Sequence, residues 1–290
     1  MAGTYSSIFK TRFAPSPTGL LHLGHAYSAL MAYDAALNAG GRFVLRIEDI
    51  DQTRCRPEFT NAIFEDLEWL GLKWEVPVRV QSEHLPDYNA ALNKLQSLGL
   101  IYNCVCTRKD IEEEISKSAR APHGPDGALY PGTCRPNDSG QMALNTEADQ
   151  PFAIRLDVAK AIKHLKEQEQ WPLIWVDEHE GEQTAAPETM GDVVLARKDT
   201  PTSYHLSVTV DDALQGITHV IRGTDLFEAT HVHVLLQALL GYKTPYYSHH
   251  KLVKDKDGKR YAKRDAAMTL RALRESGKTP DDIRRMIGLG

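Results

Sequence analysis

The sequence lacks the apolar segments that would place the protein in a membrane. Its longest apolar runs, such as HVHVLLQALLG, are far shorter than the roughly 20 residues that span a bilayer. The N-terminal residues MAGTYSSIFKTRF contain no apolar core of the kind found in a secretory signal. Only four cysteines occur in 290 residues. We therefore predict a cytoplasmic protein with reduced thiols and no membrane partner.

The sequence also lacks the overall positive charge that many nucleic-acid-binding proteins carry. Its formal net charge is −5, with 42% hydrophobic and 25% charged residues, as in an ordinary globular protein. One segment differs: KLVKDKDGKRYAKR, residues 251–264, holds seven basic residues against two aspartates. Its charge alone leaves two interpretations open, a solvated loop or a contact surface for nucleic acid.

Three familiar motifs are missing. The sequence contains no G-x-G-x-x-G and no G-x-x-x-x-G-K-[ST], which excludes the usual dinucleotide-binding and P-loop sites. It contains no nucleophile elbow for a serine or cysteine hydrolase. A catalytic or nucleotide-binding site in this protein must therefore be formed by residues outside these three motifs.

An alternation of strands and helices is present instead. Hydrophobic periodicity predicts strands at 9–16, 42–49, 151–158, 172–178, 191–198, 204–213 and 216–223. It predicts helices at 26–41, 56–72, 86–100 and 226–241. This order is typical of an α/β fold in which helices cover a parallel sheet.

A region rich in turn-forming residues interrupts the alternation after about residue 100. We predict four parts: the first half of an α/β domain at 1–100, an insertion at 101–190, the second half of that domain at 191–248, and a basic loop with a short helical segment at 249–290.

The stretch RFAPSPTGLLHLGH, residues 12–25, is a predicted strand-to-helix turn, where α/β proteins bind ligands. Gly19 and Gly24 would let the backbone approach a ligand closely. The positive end of the helix, together with His22 and His25, would then face an anion. The alternative is two surface histidines with ordinary partners.

The next predicted strand ends in RIEDID, which contains Glu48, Asp49 and Asp51. These carboxylates suit a substrate amine or, less well, a metal ion; the alternative is a polar end of a strand. The remaining histidines are interpreted as structural because none is paired with a nucleophile: His231, His233, His249 and His250.

The cysteines indicate a metal site. Cys104, Cys106 and Cys134 form a C-x-C pair with a distant third cysteine, a pattern that favours zinc over a disulfide in the cytoplasm. Zinc needs a fourth ligand, and the sequence leaves Tyr130, His123 and Asp126 open. Unliganded thiols are the alternative, and Cys55 lies outside the group.

Six motifs follow the order found in glutamyl-tRNA synthetases and cover essentially the whole chain: RFAPSPTGLLHLGH, RIEDID, WLGLKWE, FAIRLDV, VTVDDALQGITHVIRGTDL and RYAKR. HLGH resembles the HIGH signature of class I aminoacyl-tRNA synthetases, and RYAKR occupies the place of their KMSKS signature. The resemblance implies a Rossmann-type parallel sheet, a zinc-bearing insertion with an acceptor-binding-like region, and a short C-terminal helical segment.

The chain ends about 26 residues after Arg264, where full glutamyl-tRNA synthetases continue into an anticodon-binding domain. It therefore resembles the short glutamyl-Q tRNA(Asp) synthetases, whose zinc motif C-x-C…Y-x-x-x-C fits Tyr130 as the fourth ligand. The implied function is ATP-Mg²⁺-dependent activation of L-glutamate and its transfer to queuosine in the anticodon loop of tRNA(Asp), by a monomer. Two alternatives stay open: a glutamyl-tRNA synthetase fragment, and an inactive RNA-binding or zinc module.

The resemblance also implies residue roles. It assigns L-glutamate binding to Arg12, Phe13, Ala14, Pro15, Ser16, Glu48, Tyr204 and Arg222. It assigns ATP binding to His22, Gly24, His25 and Lys263, of which the two histidines and Lys263 are catalytic. It assigns zinc to Cys104, Cys106, Tyr130 and Cys134. Ala262 and Arg260 depart from the signature's serine and lysine, so we expect slower activation but not its loss.

Overall fold

The computed structural model describes residues 8–117, 123–124, 127–136, 151–197, 199–253 and 269–290. Lys263, with Arg260 and Ala262, lies outside the described residues, as do Asp126 and the side chain of His123. The roles predicted for them stay predictions.

The strands of the described residues are β1 (Lys10–Phe13), β2 (Arg42–Ile47), β3 (Glu75–Val80), β4 (Ile101–Cys104), β5 (His123–Gly124), β6 (Gly127–Ala128), β7 (Ala153–Leu156), β8 (Ile174–Asp177), β9 (Gly181–Thr184), β10 (Val194–Arg197), β11 (His219–Gly223) and β12 (Tyr246–His250). The α-helices are α1 (Leu23–Asn38), α2 (Pro57–Trp69), α3 (Leu85–Ser97), α4 (Arg108–Lys117), α5 (Val158–Glu167), α6 (Tyr204–Leu214), α7 (Ala229–Leu240), α8 (Leu270–Glu275) and α9 (Pro280–Met286). None of these helices has the length and apolar character needed to cross a bilayer.

The predicted parallel arrangement is confirmed. Strands β1, β2 and β3 pair in parallel, and β11, β12 and β8 form a second parallel group that the antiparallel β9 extends. The groups meet at β1 and β11, where the backbone N–H of Thr218 donates to the Lys10 carbonyl at 2.9 Å. The C-terminal ends of β1, β2, β11 and β12 therefore lie close together, where α/β sheets hold their ligands.

The antiparallel sheet β4–β7–β10 stands apart from the parallel strands. This sheet includes β10, which follows residue 190. Strands β8 and β9 lie within the predicted insertion, yet they extend the parallel group. Each of these sheets therefore combines strands from inside and outside the predicted insertion. The predicted boundaries of the four parts stay predictions.

The strand predicted at 204–213 is wrong, because these residues form helix α6. Ser203 caps the helix by accepting the backbone N–H of Leu206. Seven consecutive residues, from Leu206 to Asp212, are buried. A helix buried on all sides shows no polar face, so its sequence does not display the 3.6-residue period. Its β-branched residues then imitate a strand.

Candidate active site

A cavity of about 440 Å³ opens at the C-terminal ends of β1, β2 and β11. Nine of its lining residues were predicted from the sequence: Arg12, Phe13, Ala14, His22, Gly24, His25, Glu48, Tyr204 and Arg222. Pro15 adjoins it, because its carbonyl accepts the backbone N–H of Glu48 at 3.0 Å. Ser16 lines a second cavity, of about 580 Å³, which shares Glu48 and Tyr204 with the first.

The two histidines of HLGH form the N-terminus of α1. Nδ1 of His22 accepts the backbone N–H of Gly24 at 3.1 Å, and Nδ1 of His25 accepts the backbone N–H of His22 at 3.1 Å. Both neutral rings therefore carry their proton on Nε2, which can donate to an anion. A Cβ on Gly24 would lie 3.1 Å from Cε1 of His22. The absence of a side chain at Gly24 therefore leaves room for the His22 ring in this position.

Glu48 is the one carboxylate of RIEDID in the first cavity, and it is 7% exposed. Its Oε1 accepts from Nε and NH2 of Arg46, both at 3.3 Å. Burial raises the pKa of Glu48 to about 7, outweighing the lowering effect of Arg46 and Arg12. Asp49 is occupied elsewhere, accepting from the backbone N–H and hydroxyl of Ser82.

A network of buried charges that the sequence did not predict supports this pocket. Asp212 accepts from Nε of Arg12 at 3.1 Å and from NH2 of Arg46 at 2.8 Å. Its neighbour Asp211 accepts from Arg79 at 2.6 Å, and it also binds Gln81 and Tyr88. Both aspartates belong to α6, whose assignment as a strand concealed them.

Arg222 is 5% exposed and contacts only neutral groups among the described residues. Its Nε donates to Nε2 of His249 at 3.0 Å and its NH1 lies 3.2 Å from Nδ1 of His233. Its other partners are the Thr230 and Tyr204 hydroxyls and the Leu226 carbonyl. No carboxylate of the described residues forms an ion pair with Arg222, so its positive charge is available to a bound anion.

The histidines interpreted as structural divide into two groups. His231 packs against Trp175 with ring centroids 5.7 Å apart. His233 and His249 contact Arg222, whereas His250 lines the first cavity beside Ser28. No short-range pattern could have linked His249 with Arg222, because they lie on different strands.

The cysteine cluster lies beside the second cavity. The sulfurs of Cys104, Cys106 and Cys134 all lie within 4.8 Å of one another, and the last two are 3.4 Å apart as free thiols. The Tyr130 hydroxyl lies 3.3 Å from Sγ of Cys104 and 3.6 Å from Sγ of Cys106. Ligands at Zn–S bonds of about 2.3 Å would be about 3.8 Å apart in a tetrahedron, so these four groups suit one zinc ion.

Tyr130 also connects this cluster to the cavity wall. The guanidinium of Arg155 lies 3.9 Å from the centre of the Tyr130 ring, and both residues line the second cavity. The backbone N–H of Cys134 donates to the Tyr130 hydroxyl at 2.8 Å. A metal held here would therefore order one wall of the second cavity.

Residues 9–289 match the family described as tRNA synthetases class I (E and Q), catalytic domain. A glutamyl-Q tRNA(Asp) synthetase from Rhodobacter capsulatus is 52% identical over 284 residues, which cover 96% of this chain and 99% of that relative. A glutamate–tRNA ligase from Aquifex aeolicus is 38% identical, covering 94% of this chain but 55% of the ligase.

A solved structure shows the same fold. The crystal structure of the glutamate-tRNA synthetase from Elizabethkingia anophelis aligns with a TM-score of 0.70 at 28% identity. The alignment covers 89% of this chain and 53% of that structure, so the chain spans about half its length.

Proposed function

Because this chain belongs to the class I tRNA synthetases for glutamate and glutamine, and within them to the glutamyl-Q tRNA(Asp) synthetases, we propose that it activates L-glutamate with ATP and transfers the glutamyl group to queuosine in tRNA(Asp). The observation that carries this proposal is the grouping of Arg12, Arg222 and Glu48 in one cavity. Two guanidinium groups and a carboxylate complement the two carboxylates and the ammonium group of glutamate.

The N-terminus of α1 is the proposed site of the ATP phosphates. His22 and His25 donate from Nε2, and the backbone around Gly24 adds the positive end of the helix dipole. One carboxylate of glutamate attacks the α-phosphorus, the bond to the β-phosphate oxygen breaks, and pyrophosphate leaves. Positioning and charge neutralisation carry such a step, which needs no nucleophilic side chain. Mg²⁺ and Lys263 would neutralise the leaving pyrophosphate.

The second cavity is the proposed approach for the acceptor nucleoside. It shares Glu48 and Tyr204 with the first cavity, so a hydroxyl entering through it would reach the activated carbonyl. Ser16, Arg155 and Arg197 give it polar walls suited to a nucleoside extruded from an RNA loop. Cys104, Cys106, Tyr130 and Cys134 would hold a structural zinc beside it. A cytoplasmic monomer stays the expected state.

The deciding experiment compares tRNA from cells grown with and without queuine, the free base of queuosine. We expect labelled glutamate to enter only the queuosine-containing pool. The label should be found on tRNA(Asp), attached in the anticodon loop. Equal labelling of both pools, or of neither, would contradict the proposal. Attachment at the 3′ end would favour a glutamyl-tRNA synthetase fragment. No ATP–pyrophosphate exchange would favour the inactive module.

The raised pKa of Glu48 predicts a pH dependence. If ionised Glu48 binds the ammonium group, kcat/KM for glutamate should rise with pH through a midpoint near 7, because this ratio reports ionisations of the free enzyme. Glu48→Gln should lower kcat/KM and remove this ionisation from the profile. The measurement is glutamate-dependent ATP–pyrophosphate exchange between pH 5 and 8.5. An unchanged midpoint in Glu48→Gln would show that another group titrates.

A further inference from the structure

Arg222 is oriented by a histidine that is itself held by a carboxylate. His249 lies between Arg222 and Asp177: its Nε2 is 3.0 Å from Nε of Arg222, and its Nδ1 is 2.7 Å from Oδ2 of Asp177. The side chains of His249 and Asp177 are 1% and 0% exposed. The contact joins β8 to β11 through β12, and none of the motifs that resemble the family includes Asp177 or His249.

The hydrogen bonds fix the state of the His249 ring. An ionised carboxylate only accepts, so Nδ1 of His249 carries a proton and donates it to Asp177. Burial and the nearby Arg222 lower the pKa of His249 to about 4, although Asp177 opposes this, so the ring is neutral. A neutral ring protonated at Nδ1 has its lone pair on Nε2, where it accepts the Nε–H of Arg222.

We propose that Asp177 is a positioning residue for glutamate binding. It selects the His249 tautomer that accepts a hydrogen bond from Arg222, and it thereby directs the Arg222 guanidinium into the first cavity. No carboxylate of the described residues pairs with this guanidinium. This inference rests on the proposed function. Without Asp177, the ring can place its proton on Nε2, where two donors would face each other and Arg222 would move.

Asp177 also has a local role that a test must separate. Its Oδ1 accepts the backbone N–H groups of His179 and Glu180, at 2.9 and 3.1 Å, which closes the turn between β8 and β9. Asp177→Asn keeps an oxygen for these two donors. Its NH₂ group then faces Nδ1 of His249 and favours the wrong tautomer. The substitution thus preserves the turn, reverses the hydrogen bond to the His249 ring and loses the one that Oδ2 accepts from the backbone N–H of His249 at 3.2 Å.

For Asp177→Asn we expect the KM for glutamate to rise about tenfold or more, the cost of one hydrogen bond to a charged group. The KM for ATP should stay within about twofold of wild type, and kcat at saturating glutamate within about threefold. Glu178→Gln is the matched control, since it removes the same charge from an exposed neighbour. An active Asp177→Asn enzyme with an unchanged KM for glutamate would overturn the inference.

Two substitutions of His249 test the route. The amide of His249→Asn can reach Asp177 but not Arg222, so it should raise the KM for glutamate. His249→Gln places an amide oxygen near the former Nε2 and should change this KM by no more than about threefold. Adding Asp177→Asn to His249→Gln should then have little further effect. An equal effect of Asp177→Asn in both backgrounds would show that it does not act through His249. Absence of glutamate-dependent exchange in the wild type would instead contradict the proposed function.

Discussion

Arg222→Met is expected to lower kcat/KM for glutamate in ATP–pyrophosphate exchange by about 10²–10³-fold. Removing one partner of a buried, hydrogen-bonded charge pair costs about 2–5 kcal/mol, and each 1.4 kcal/mol corresponds to tenfold. All described partners of Arg222 are neutral. The substitution therefore leaves a carboxylate of the bound glutamate without its buried cation. Steady-state exchange over a glutamate series measures this directly, and a titration with ATP should show little change in affinity.

Arg46→Met is the matched control for stability. Arg46 is fully buried and forms ion pairs with Glu48, Asp211 and Asp212. Its removal leaves Glu48 without an ion-pair partner, whereas Asp212 keeps Arg12 and Asp211 keeps Arg79. Breaking a buried ion pair by removing one partner typically costs about 3–5 kcal/mol. We therefore expect Arg46→Met to lower the Tm more than Arg222→Met does. A reversed order of Tm, or normal glutamate kinetics in Arg222→Met, would contradict the roles inferred for the two arginines.

Cys134→Ser is expected to remove zinc from the purified protein and to destabilise it. A metal present at a thousandfold its Kd stabilises the folded state by about 4 kcal/mol. At about 2–4 °C per kcal/mol for domains of 150–250 residues, this corresponds to a decrease of about 10 °C in Tm. Elemental analysis should find about one zinc per chain in the wild type and almost none in the variant. The insertion should also become more sensitive to protease.

Cys55→Ser provides the comparison, because Cys55 lies outside the cluster of Cys104, Cys106 and Cys134. It should retain the zinc content and the Tm of the wild type. Tyr130→Phe keeps the three thiols and removes the oxygen that lies 3.3 Å from Sγ of Cys104. We expect it to bind zinc more weakly than the wild type but more strongly than Cys134→Ser. Equal zinc content in all four proteins would show that the cluster is not a metal site.

Six strands and four α-helices of the described residues could be predicted from local sequence, whereas β3, β4, β9 and β12 were not predicted. The helix at Leu23–Asn38 and the strand at Arg42–Ile47 follow from hydrophobic spacing and from the glycines between them. The strand at 204–213 was wrong because α6 is buried on all sides and shows no period. That error concealed Asp211 and Asp212, which bind arginines from β1, β2 and β3.

By itself the sequence determined the residues whose chemistry depends on short spacing. His22 and His25 sit one helical turn apart, Glu48 follows a buried strand, and Cys104 and Cys106 share one strand end, so each could be recognised within a few residues. Only the tertiary structure decided which partners these groups and Arg222 have. Asp177 and His249 are 72 residues apart, and they meet because β8 pairs with β12. Local backbone preferences act over a single turn or strand, whereas the adjacency of distant strands is set by packing the whole sheet, and that packing places Arg222 among neutral groups.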